Sequence, residues 1–188
     1  MGICSSSNSY KEEAKNINNY KTQEIIANNP LNKINIELYN VIKSVCKIIT
    51  NIGSGTGFLI KLYKNKNEFF CLMTNEHMLK KEMIKSNEKI TIFYDAQNER
   101  KETILNPNLR YIKEYRNINL DITIIEILKE DDINKKYFLL PYIGEYNLIN
   151  RNIYIVQFPE DNLCESKGKI IKINNNEITY DVEANPGS

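Results

Sequence analysis

Apolar residues in this chain come only in strand-sized runs, and that limits what it can fold into more than any other feature. The longest candidates, such as FFCLM at 69–73 and IYIV at 153–156, hold five and four residues, far short of the 18 or so that a bilayer-spanning helix needs. Successive runs at 44–50, 57–63, 68–74, 89–94, 100–105, 109–115, 120–128, 136–140, 151–157, 167–173 and 177–182 are rich in Ile, Tyr, Phe and Thr, with Asn, Gly, Lys and Pro between them. β-Branched and aromatic side chains fit a pleated, half-buried surface, whereas the separators favour turns. The pattern predicts an all-β sandwich or barrel. Ile34, Leu38, Val41, Ile42 and Val45 recur at spacings of three and four, which predicts one short helix leading into the domain. The NNN stretch at 174–176 reads as a hairpin turn.

At 188 residues, a compact fold would bury about 70% of the unfolded chain's surface, enough to support an enzyme's core. Twenty-five Lys and Arg against 24 Asp and Glu leave a formal charge of +1. That lacks the basic excess from which counterion release draws affinity, so nucleic acid is not an expected partner. Cys4, Cys46, Cys71 and Cys164 show no C-x-x-C spacing and His77 is the only histidine, so no metal site is expected. Cys46 and Cys71 lie in strand-like contexts, where a thiol packs as a small hydrophobe. The N-terminus carries no charged-then-apolar secretory leader, which points to a reducing, cytoplasmic setting without disulfides.

Residues 1–32 are dominated by Asn, Ser, Lys and Glu, a composition that cannot bury enough surface to offset ordering entropy. They are expected to form a flexible tail, with the folded domain at 33–188. The tail begins MGICSS, which matches M-G-x-x-x-[ST], the pattern for myristoyl transfer onto Gly2. One such chain binds membranes only marginally, and a second on Cys4 would make attachment stable. Lys11 and Lys15 are offset by Glu12 and Glu13, so no polybasic signal assists. The expected location is the cytoplasmic face of a membrane, or the cytoplasm if acylation does not occur.

GSGTGFLIK at 53–61 is the most glycine-dense stretch. It matches neither the P-loop nor the dinucleotide fingerprint, and Phe58-Leu59-Ile60 continues as a strand rather than opening a helix. Its glycines are expected to serve positive φ and close backbone approach. His77 follows an apolar strand in FFCLMTNEHML, at a polar turn expected to start a helical segment running to about Met83. Forty-four residues on, Asp121 opens DITIIEIL, where its carboxylate is expected to be partly buried. An acid hydrogen-bonded to a ring nitrogen fixes the tautomer and stabilises the imidazolium formed in general base catalysis.

The order GSGTGFLI, FFCLMTNEHM, NLDITIIEI and a terminal ANPGS resembles the trypsin-like serine peptidases of the chymotrypsin fold. The similarity is greatest to the disulfide-poor branch with the high-temperature-requirement and glutamyl endopeptidases, and it runs from about Ser44 to Ser188. In that family a G-x-G-F-[LIV]-I strand precedes T-x-x-H, the acid heads a D-[IL]-[AT]-[LI]-[LI] strand, and the nucleophile follows in P-G-x-S-G-x-P. The resemblance implies a double β-barrel, the first barrel complete and the second incomplete in this chain. It makes His77 the general base, Asp121 the orienting acid, Gly187 the first oxyanion-hole donor and Ser188 the residue before the nucleophile. The nucleophile position, 189, lies past this sequence, so the chain as given is expected to be a truncated, inactive form.

The implied activity is hydrolysis of polypeptide substrates by a monomer, through a Ser-His-Asp triad and an acyl-enzyme, without metal or organic cofactor. The alternative is a membrane-tethered, non-catalytic protease-like module that binds peptides by strand addition. An unrelated all-β adaptor would leave His77 and Asp121 well apart.

Overall fold

The computed structural model describes residues 38–64, 66–115, 120–141, 144, 147–174 and 177–182. The tail at 1–32, Ile34, Gly2, Cys4, the turn positions 175–176, Gly187 and Ser188 lie outside the described residues.

The chain divides into two compact units, one of them spanning 39–142. That unit holds β1 (Val45–Thr50), β2 (Gly53–Lys64), β3 (Asn67–Thr74), β4 (Lys89–Tyr94), β5 (Glu99–Ile104), β6 (Ile112–Tyr115) and β7 (Ile122–Glu126). They form one curled antiparallel sheet in the order β5-β4-β1-β2-β3-β7-β6. The other unit carries β8 (Asn152–Gln157), β9 (Cys164–Asn174) and β10 (Glu177–Tyr180), ordered β10-β9-β8. The fold is therefore all-β, a half-barrel sheet plus a smaller one.

Alternation along the strands builds the core of the larger unit. Ile90, Ile92 and Tyr94 of β4 are buried while their neighbours are more exposed, and Ile48, Leu59, Leu72, Leu105 and Ile125 are fully buried. Burying each such side chain contributes about 1.5–3 kcal/mol. The helical stretch 38–44 precedes β1, as the three-and-four spacing predicts, but of its apolar positions Ile42 is buried while Val41 is exposed, and Val45 already belongs to β1.

The run at 136–140 does not form the expected strand. Lys135–Tyr137 is a 3-10 turn and Leu139 makes a single parallel bridge to Ile60. Aromatic packing decides this: Tyr137 meets Tyr94 edge-on at 5.2 Å, Phe138 meets Phe70 at 5.0 Å, and the Tyr137 hydroxyl donates to Asp95 at 3.0 Å.

Edge strands β5 and β6 are consecutive in the chain, and a buried polar trio ties β5 to the loop entering β6. Asp131 accepts from Arg110 Nη1 at 2.8 Å, Arg110 Nη2 at 3.1 Å, Thr103 Oγ1 at 3.1 Å and the Leu128 amide at 2.7 Å. The Arg110 and Asp131 side chains are 7% and 6% exposed.

Cys46 and Cys71 are free, buried thiols; burial pushes Cys46 far up and Cys71 up to about 12.

Candidate functional site

Strand pairing brings His77 and Asp121 together across 44 positions of sequence. β3 and β7 run antiparallel with Thr74 opposite Thr123, so two further steps of that register set residue 76 opposite residue 121. Thr74 is buried and its hydroxyl donates to the Thr56 carbonyl at 2.8 Å, which pins the end of β3 to β2. The chain then turns through Glu76–Met78, a single 3-10 turn, and continues into a short helix at Lys81–Lys85. The helical segment expected from His77 to about Met83 is thus present in two pieces. Met78 and Leu79 point into the core at 9% and 0% exposure, and the same turn leaves His77 outward, its side chain 61% exposed.

The glycines of GSGTGF support this turn. Gly53 has φ +147°, and a Cβ on Gly57 would come within 2.5 Å of Ile48 Cδ1 and 2.9 Å of the Met73 carbonyl oxygen. A Cβ on Gly55 would fall 2.7 Å from Met78 Sδ, so this glycine makes room for the residue beside His77. No phosphate need be invoked for them.

Asp121 holds His77 from two sides. Its Oδ2 accepts from the imidazole Nδ1 at 2.5 Å and its Oδ1 from the His77 backbone amide at 2.9 Å. Asn75 Nδ2 also donates to Oδ2, at 3.1 Å. Partial desolvation pushes the Asp121 carboxyl up, but the His77 amide, the imidazole and Asn75 together outweigh it and hold the group below the usual carboxylate range. The Asp121 side chain is 45% exposed, more open than expected from its place at the mouth of an apolar strand. The strand's burial begins at Ile122 and Thr123, and Asp121 and Leu120 stand outside it.

With Nδ1 engaged as a donor to Asp121, Nε2 is the ring nitrogen that can take up a proton. The pair lies in an open depression lined by Glu76, His77, Lys80, Glu82, Leu120 and Asp121. Among the described residues no cluster of three or more His, Cys, Asp or Glu is placed to hold a metal ion. No described helix is long and apolar enough to cross a membrane. Gly187 and Ser188, assigned by resemblance to the oxyanion hole and the position before the nucleophile, lie outside the described residues, as do the lipidation candidates Gly2 and Cys4. Asn75 is the site residue that sequence reasoning missed; its signal was an amide side chain two positions before the only histidine.

No family model matches the chain, and no curated protein matches it. Among solved structures it is similar to that of Rv3671c from M. tuberculosis H37Rv, an inactive-form mutant, at 18% identity and a TM-score of 0.44. That match covers 80% of this chain and 58% of the other, so this chain spans less than two thirds of that protein's length.

Proposed function

We propose that this chain carries the base and the orienting acid of a serine endopeptidase with a chymotrypsin-like fold. The observation that supports the reading best is the double hold of Asp121 on His77, ring and backbone together. An acid that fixes the Nδ1–H tautomer leaves Nε2 free to accept a hydroxyl proton, which is the arrangement a serine nucleophile needs. The imidazolium formed in that step then lies against a carboxylate whose depressed proton affinity keeps it charged. In this reading the acyl-enzyme forms on a serine at position 189, with backbone N–H groups around Gly187 binding the oxyanion, a contribution of about 3 kcal/mol per donor. No step calls for a metal or an organic cofactor.

Membrane attachment through acylation of Gly2 and Cys4 is a separate part of the proposal and rests on MGICSS alone. Hydroxylamine-sensitive labelling at Cys4 is the direct check on the second chain.

The codon that follows Ser188 in the source transcript tests the catalytic reading. Ser followed by Gly supports it. Ala or Gly there favours the peptide-binding alternative, and a stop codon removes the nucleophile loop on which the peptidase reading depends.

A further inference from the structure

We propose that Asn75 is a positioning residue: it fixes the Asp121 carboxylate in the rotamer that holds His77 as the Nδ1–H tautomer. The inference deepens the peptidase reading and rests on it for the purpose of the positioning, though not for the geometry. Asp121 is not held by burial, because its side chain is 45% exposed. Hydrogen bonds must therefore orient it.

Its Oδ1 is occupied by the His77 amide, which anchors the head of the carboxylate. Its Oδ2 receives the imidazole and, at 3.1 Å, the Asn75 amide. The same Asn75 nitrogen lies 3.5 Å from the Asp121 backbone carbonyl oxygen, so one side chain spans the main chain and the carboxylate of its partner. A carboxylate oxygen has about two lone-pair directions. With Asn75 in place both are taken, and the plane of the carboxylate is set by three donors that all come from residues 75–77. Without Asn75, water competes at Oδ2, the carboxylate gains freedom about its side-chain torsions, and its selection of the ring tautomer weakens.

The test reads the ring directly. His77 is the only histidine, so the ¹⁵N-labelled full chain gives one set of imidazole signals. At a pH where the ring is neutral, the wild-type protein should show Nδ1–H as the major tautomer. Asn75→Ala and Asn75→Leu should each lower its share measurably and speed exchange of the Nδ1 proton. Both variants keep the Asn75 backbone carbonyl that accepts from the Met78 amide at 3.3 Å, so unchanged Met78 and Leu79 amide shifts report an intact turn. Leu matches Asn in size, which guards against a packing loss in the Ala variant. A wild-type tautomer ratio in both variants would overturn the proposal. No proteolysis enters this readout, so failure of the peptidase reading would show separately, as missing reaction of the source protein, nucleophile position included, with a serine-directed phosphonate.

Discussion

Replacing Asp131 with Ala should unfold the larger unit well before any comparable surface change does. The carboxylate accepts four hydrogen bonds, two of them from Arg110, in a site where both side chains are under a tenth exposed. Removing it leaves a buried guanidinium whose remaining contact is Nη1 donating to the Glu126 carbonyl at 2.9 Å. Breaking a buried ion pair from one side costs about 3–5 kcal/mol, mostly the penalty of the stranded charge. With a urea slope of about 1.5 kcal/mol per molar for a unit of this size, the midpoint should fall by roughly 2–3 M. Thr103→Val, which removes one donor to a charged acceptor, should cost about 1.5–3 kcal/mol. The pair Arg110→Met with Asp131→Leu should recover most of the loss, because two apolar groups leave no charge to satisfy. Urea unfolding followed by tyrosine fluorescence measures all three. A midpoint for Asp131→Ala within about 0.5 M of wild type, on the same slope, would refute the claim that this trio ties β5 to the loop entering β6.

Gly57→Ala should destabilise by about 1–3 kcal/mol, because its Cβ meets the Met73 backbone as well as Ile48; Gly55→Ala should cost less, since Met78 can swing its thioether aside, and equal midpoints in urea would contradict the difference. The Asp121 carboxyl, followed by ¹³C, should titrate below the ordinary value of about 3.9. Because its folded-state pKa is depressed, its contribution to stability is fully present above that value and is lost as the pH falls through the depressed one; a midpoint at or above 3.9 would count against the three-donor hold. Cys46 and Cys71, buried and with their thiols pushed up, should react with thiol reagents only as fast as the unit unfolds.

The strands were legible because period-two alternation of β-branched and aromatic residues is a local signal, and most of the expected runs became strands within a few residues of their bounds. Where a run was misread, a tertiary contact had intervened: residues 136–140 look like a strand, yet Tyr137 and Phe138 are claimed by rings on β4 and β3. His77 and Asp121 stood out because each sits at the polar end of an apolar run, and antiparallel pairing of those runs brings the ends together. Asp121's exposure was not legible, since nothing local says whether a strand-mouth acid faces the core or the solvent. Arg110 and Asp131 were invisible for a similar reason. Charged residues in a polar stretch read as surface, and only the meeting of β5, the loop before β6 and the turn at 129–131 buries them.

Reaction of the source protein with a fluorophosphonate, followed by peptide mapping, tests the central claim most directly. The account predicts a covalent adduct on the serine at position 189, abolished by His77→Ala and strongly slowed by Asp121→Asn, with both variants still folded. An adduct that forms at the wild-type rate in His77→Ala would contradict the assignment of His77 as the base, and with it the functional meaning of the site.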